Sequence, residues 1–323
     1  MKKILLSLAC VFGMSTAAFA LTSSAVLLQH NGNITTYAAE DIAQAMADAD
    51  DGDEVFLNEG KYPGFTISKA IKIKGAGQLT VISGDITIDN SEDTSIGDVF
   101  IGFMKVEGWL QGNSSINKLN LLQCKLNGYF QESGVAQEVF VDRCDIYRTP
   151  GVSLATYYQE TITIDGKTTY IQHPRVKKFT AMNSKIDINQ RTSFTPYPPY
   201  TIINCNAYLN GGCNGLTVIN SIIDNYSYQL YDSDVTNSVY RYALPESNKA
   251  TGCYQDTPSD SWTKEQLEEA GYYGNDGTVI GPLGGARNTP FTLVPIIPRV
   301  TENTLKVDPQ KQELNVTVTV TPK

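Results

Sequence analysis

Histidine is scarce in this chain, basic residues are outnumbered, and long apolar runs are missing. His30 and His173 are the only histidines, and the six cysteines include no Cys-x-x-Cys spacing. A zinc centre of thiolates and imidazoles is therefore not expected. Lys and Arg total 25 against 34 Asp and Glu, a formal net charge of -9. A chain of that sign has no general attraction for nucleic acid or an anionic membrane. Beyond residue 20, no segment reaches the ~18 consecutive apolar residues that a membrane span needs. Nucleic acid and a membrane span are thus both set aside as expectations.

What is present begins with an address. Lys2 and Lys3 precede an apolar stretch from Ile4 to about Phe12, and Ala18-Phe19-Ala20 offers a small-x-small cleavage site. Residues 1–20 read as a secretory signal peptide cut near Ala20. The expected location is secreted, periplasmic or cell-surface. Lipidation at Cys10 is the competing reading, disfavoured by the short apolar segment before it. Five cysteines then remain: Cys124, Cys144, Cys205, Cys213 and Cys253. An odd number leaves at least one thiol free or intermolecular. Cys205 and Cys213 flank Gly211-Gly212, where they either bridge or stay apart. Cys124 and Cys144 are expected as stacked, buried thiols.

The strongest internal signal is a repeat of about twenty residues. Leu79, Val99, Leu119 and Val139 form one column. Val81, Ile101, Leu121 and Val141 form a second, and Ile86, Val106, Leu126 and Ile146 a third. Gly84, Met104, Cys124 and Cys144 share the column between them. Phe179, Ala181, Ser184 and Ile186 resume the pattern at twice the period. Asn183-Ser184, Asn204-Cys205, Asn220-Ser221 and Asn237-Ser238 recur before a second strand; Asn suits a tight bend because it tolerates left-handed backbone. Alternation inside each copy marks strands, and the phase slip marks a corner. Twenty residues at ~3.3 Å each give a perimeter of roughly 66 Å, suited to a coil of three short strands. The fold class expected is all-β: a right-handed parallel β-helix of three strands per coil, with about nine coils between residues 55 and 245.

Before the first coil, residues 39–49 read as a short capping helix with acids in its first turn. Asp51-Gly52-Asp53-Glu54 follows, then the strand Val55-Phe56-Leu57, then Gly60-Lys61-Tyr62 and Gly75-Ala76-Gly77. This order resembles the amino-terminal cap and first coil of the pectin/pectate-lyase-like superfamily, and with the repeats the resemblance covers about residues 39–245. Residues 273–291 are similar to the close of secreted Bacteroidetes β-helix proteins of unknown function, in which a short β tail follows the solenoid. The chain is expected to divide into a signal peptide (1–20), a β-helix with its cap (21–290) and a carboxy-terminal β extension (291–323) packed on the solenoid end. An insertion at about 148–175 contains a hairpin signal, Asp165-Gly166-Lys167 between two β-rich runs. A short helix is expected at 263–270. Leu314–Val320 alternates cleanly and is expected to pair with Thr304–Val307.

Polysaccharide lyases on the resembling fold hold calcium with acidic residues and use Lys or Arg as base. The nearest counterpart here is Asp142 with Asp145, and Asp187 one repeat further along. These acids also suit an ordinary polar corner. The polygalacturonase signatures Asn-Thr-Asp, Gly-His-Gly and Arg-Ile-Lys do not occur, and the Asp-Asp pair Asp50-Asp51 stands alone in the turn before the first strand. His173, Arg175 and Lys177, with Arg191, are the candidate catalytic residues, set where the insertion rejoins the rod. The plain alternative is a solvated loop base. Tyr157, Tyr158, Tyr197 and Tyr200 are the candidate ligand-binding residues, because aromatic faces stack on sugar rings; exposed strands also favour Tyr on propensity alone. The function expected is a non-catalytic module binding a polysaccharide or a surface protein, with no cofactor. The alternative is a polysaccharide lyase or glycoside hydrolase acting on an acidic polysaccharide, and only that alternative calls for calcium. The fold by itself does not define an activity.

Overall fold

Apolar residues at every second position give each short strand one inward face, and a single left-handed residue turns the chain between strands. The computed structural model describes residues 25–90, 95–128, 130–146, 151–154, 157–165, 167–190, 196–225, 230–257 and 261–285, with the strands Arg299–Asp308 and Glu313–Thr321. The signal-peptide reading, Cys10 and Arg191 lie outside the described residues. The described chain winds into an all-β parallel solenoid of about eight turns.

Its first wall carries an unbroken ladder of inward residues: Val55, Ile73, Ile101, Leu121, Val141, Ala181, Ile202, Val218 and Val235. All are buried. The second wall stacks Ile82, Val106 and Leu126, and further along Ile146, Ile186, Ala207 and Ile223. The third wall runs from Phe65 through Ile86, Leu110 and Phe130 to Val152. Stacking strand on strand satisfies the backbone and buries apolar side chains in the same step.

One corner is the same in coil after coil. Phe103, Gln123, Arg143, Asn183, Asn204, Asn220 and Asn237 hold φ between 46° and 62°. The residue after each turns inward. From Cys124 onward it is Cys144, Ser184, Cys205, Ser221 and Ser238. The Cys144 N–H donates to Ser184 Oγ at 3.0 Å, Cys205 N–H to Ser221 Oγ at 3.1 Å, and Ser221 N–H to Ser238 Oγ at 3.0 Å. Each of these hydroxyls donates in turn to a carbonyl two residues back in its own coil. A corner that would bury orphan N–H groups is thereby satisfied.

The register expected from a fixed step of twenty needs correction at its first copy. Val99, Leu119 and Val139 stack as expected, but Leu79 does not join them and is 58% exposed. The rung next to Ile101 is Ile73, not Val81, and the rung next to Val106 is Ile82, not Ile86. Gly84 likewise falls outside the column of Met104. The coil from Ile73 to Ile101 has wider corners, one through Gly75-Ala76-Gly77 and one after Ile88, so stepping back by twenty loses register. The alternative left open at Cys205 and Cys213 resolves to two separate buried thiols. Cys205 belongs to the corner ladder, whereas Cys213 pairs in register with Leu230 on another wall.

The amino end is closed by more than the expected helix. Helix α1 (Ile42–Asp48), entered through a 3-10 turn at Ala39–Asp41, buries Ile42, Ala45 and Met46. The strand Ala25–His30 pairs antiparallel with both Asn33–Ala38 and Glu54–Leu57. Asn31 and Gly32, both at positive φ, form the turn between them. At the other end, helix α2 (Lys264–Glu269) starts with a capping box between Thr263 and Gln266. Its Leu267 joins Val279 and Ile280 on the outward residues Ile222 and Val239. The insertion is the expected hairpin, Tyr157–Ile164 against Lys167–Pro174. In the carboxy-terminal tail Leu305 pairs with Val316 and Val307 with Leu314, antiparallel as the alternation predicts.

Candidate functional site

The hairpin register brings five of the expected site residues to its base. Tyr158 stands opposite His173, and their rings stack with centroids 5.0 Å apart. His173 Nε2 lies 2.8 Å from Glu160 Oε2. The Lys177 ammonium sits 4.7 Å from the centre of the Tyr158 ring and donates to its hydroxyl at 3.1 Å. Arg175 Nε donates to the Tyr157 carbonyl at 3.2 Å, and its Nη1 reaches the carbonyls of Ser133 and Gly134. Arg175 thus ties the hairpin to the preceding coil, while Lys177 and His173 both pack on Tyr158. The basic residues spend their donors and charge on holding the hairpin. Tyr157 remains 41% exposed, and Tyr170, on the same face of the hairpin, 62%.

The other candidates do not join this group. Tyr200 is a correction: it lies in the interior, packs edge-on against Phe179 and donates its hydroxyl to the Val176 carbonyl at 2.6 Å. Its position on an inward rung, beside Ala181's ladder, removes it from any ligand, and burial pushes its phenol pKa well up. Tyr197 is exposed and donates to Asp232 Oδ2 at 2.5 Å, which raises its own pKa. Gly215, at φ +69°, lies directly under the Tyr197 ring, where a side chain would collide. Asp142 is buried and accepts from Arg143 Nε at 3.3 Å and Asn183 Nδ2 at 3.0 Å. Asp145 pairs with Lys125 at 3.1 Å. Among the described residues, no group of three His, Cys, Asp or Glu side chains converges on one point.

Asp187, named in the sequence beside Asp142 and Asp145, instead heads a row of polar residues outside the second wall whose other members the sequence did not single out. Asp187 stands in register with Tyr208, and Tyr208 with Asp224. Arg241 follows, gripping Asp224 through Nε at 2.6 Å and Nη2 at 3.3 Å. Asp187 is only 4% exposed, and burial pushes its carboxyl up to about 7. Alternation with Ile186 and Ile188 shows that position 187 faces outward, but an outward acid is normally solvated. A second unforeseen group lies near the carboxy end, where Tyr272 packs against Tyr254 and Trp262 at 5.1 and 5.7 Å and donates to Asp256. A third is a concavity of about 310 Å³ at the amino-terminal cap, lined by Gln29, Asn31, Asp51, Asp53 and Glu54. His30 Nδ1 meets both Asp53 oxygens at 3.0 Å beside it.

Among the described residues, no helix is long and apolar enough to cross a membrane. No family model matches the chain, and no curated protein or solved structure matches it either. The architecture stands on its own geometry: a parallel β-solenoid, compatible with a β-helix superfamily.

Proposed function

We propose that this chain is a secreted or cell-surface binding module that holds a polysaccharide along the rod beside its projecting hairpin, without cleaving it. The observation that carries this reading is the hairpin: its base is locked by Arg175, Lys177 and His173, and its free face presents Tyr157 and Tyr170 among Gln159, Thr161, Thr168 and Gln172. Exposed aromatic rings set among amide and hydroxyl groups suit the apolar and polar faces of sugar rings. The lyase or hydrolase reading draws less support from the acids beside the rod. Asp187, with its raised pKa, is too deeply buried to meet a polymer, and Asp224 is neutralised by Arg241.

Affinity electrophoresis against uronic-acid and neutral polysaccharides, with and without calcium, tests the reading. Retention by at least one polysaccharide is expected, weakened roughly tenfold by the double change Tyr157→Ala and Tyr170→Ala, which removes ~1.4 kcal/mol. Release of shortened or unsaturated products would establish the enzymatic alternative instead. Retention unchanged by the double substitution moves the binding face off the hairpin and overturns the proposal.

A further inference from the structure

The projecting hairpin sorts its charge by face. Residues opposite one another across an antiparallel pair share a side of the sheet, and successive residues along each strand alternate between sides. One side carries Tyr157, Gln159 and Thr161 on the first strand and Thr168, Tyr170 and Gln172 on the second, and no residue on that side is acidic or basic. The other side holds every acidic or basic side chain of the two strands: His173 with Glu160 at 2.8 Å, and Lys167 at the far end. The basic residues at the hairpin's base are engaged elsewhere. Arg175 donates to the carbonyls of Tyr157, Ser133 and Gly134, Lys177 lies on Tyr158, and Lys178 pairs with Glu138 at 3.5 Å.

We propose that the ligand of the tyrosine side is a neutral polysaccharide, one without carboxylate, sulfate or phosphate groups. The inference rests on the polysaccharide-binding reading above and narrows it. A uronate carboxylate only accepts hydrogen bonds and is matched best by Arg or Lys donors. The tyrosine side offers neither, and a chain of net charge -9 repels a polyanion at long range. The acidic polymer that the lyase alternative requires is the ligand this face suits least. Neutral sugar hydroxyls both donate and accept. Amides and hydroxyls do the same, and Gln159 stands directly opposite Gln172 between the levels of the two tyrosines. Tyr170 is paired with Thr161, four residues along the strand from Tyr157. At ~3.4 Å per residue along the strand and ~4.8 Å between strands, the two tyrosine positions are roughly 14 Å apart. A single sugar ring does not span that distance, so the face fits a run of linked sugars.

The test is affinity electrophoresis of the full-length protein in gels containing a neutral glucan, a mannan or polygalacturonate, each at low and at high salt. Retention by at least one neutral polymer is expected, with an apparent affinity that changes less than about twofold between the two salts, because no ion pair is there to be screened. Polygalacturonate is expected to bind at least about tenfold more weakly. Oligosaccharides of the retaining polymer are expected to compete, and its monosaccharide is not. Thr168→Lys with Gln172→Lys sets two positive charges on the same side and is expected to strengthen polygalacturonate retention several-fold at low salt. Polygalacturonate retention equal to or stronger than that of the neutral polymers, and abolished by Tyr157→Ala with Tyr170→Ala, overturns the neutral class and leaves the polysaccharide-binding reading standing. Retention by neither class, or neutral retention untouched by the tyrosine double change, overturns both.

Discussion

Asp187 couples a single carboxyl group to the stability of the whole coil around it. Its pKa rises from an ordinary 3.8 to about 7 because burial disfavours the charged form. The neutral form is therefore the one the fold favours. In metal-free buffer the stability associated with that form is complete below the unfolded-state value near 4. It declines as pH rises towards 7 and is absent above it. Asp187→Asn keeps the shape without the charge. The variant is expected to match the natural protein at pH 4 and to exceed it above pH 7 by on the order of 1–3 kcal/mol. Urea midpoints measured across this range in a chelating buffer check the point. A variant no more stable at pH 8 would mean that the carboxylate is solvated in solution. The sequence places Asp187 on an outward position but cannot show what lies over it. Burial of a lone acid is a property of packing, not of strand alternation.

The corner ladder shows how one element type is written with several residues. Asn183, Asn204, Asn220 and Asn237 announce it in the sequence, because Asn accepts left-handed backbone with little strain. Phe103, Gln123 and Arg143 hold the same conformation and announce nothing. At those coils the ladders on either side fix the bend, and local preference yields to them. The inward Cys and Ser residues were legible as a column, but their exchange of N–H and hydroxyl bonds was not, since it depends on neighbouring coils being in register. Asn220 concentrates these demands: it is buried at φ 50°, donates to Asn275 Oδ1 at 3.1 Å, and accepts from the Asn275 N–H at 3.3 Å. Asn220→Ala is expected to cost about 2–3 kcal/mol in chemical denaturation, by adding backbone strain and stranding the Asn275 groups. Asn220→Gly, which keeps the bend and loses only the side-chain bonds, is expected to cost less. Equal losses from the two would show that the left-handed backbone carries no strain there. The hairpin is the contrasting element. Its two strands were readable from the runs that flank Asp165-Gly166-Lys167, and the pairing of Tyr158 with His173 follows from their register, whereas the contacts of Arg175 and Lys177 depend on how the hairpin meets the coil.

At the scale of the whole molecule, repetition made the fold legible and irregular coil length blurred its register. From Ile101 to Val141 each turn takes twenty residues, and the expected columns of Val99, Leu119 and Val139 hold. Later turns tighten, with sixteen residues from Cys205 to Ser221 and seventeen from Ser221 to Ser238, while the coil carrying the hairpin takes forty from Cys144 to Ser184. A solenoid tolerates such variation because extra residues leave through a corner while the wall strands stay stacked. A fixed step through the sequence does not tolerate it, which is why Leu79 was assigned to the rung of Val99, where the register places Ile71. The Asn31-Gly32 hairpin over the amino end was missed for another reason: its strands pair antiparallel, outside any repeat. The corrected register separates two substitutions that the twenty-residue step would treat alike. Leu79→Ser changes an exposed residue and is expected to alter unfolding free energy by less than about 0.5 kcal/mol. Ile73→Ala empties a rung between Val55 and Ile101 and is expected to cost about 2–5 kcal/mol. Because each coil touches only its neighbours, that loss should fall first on hydrogen-exchange protection in the strands Glu54–Leu57 and Ile96–Val106, and last on the distant Leu216–Ile219. Comparable destabilisation by Leu79→Ser would restore the uniform step and displace the ladder described here.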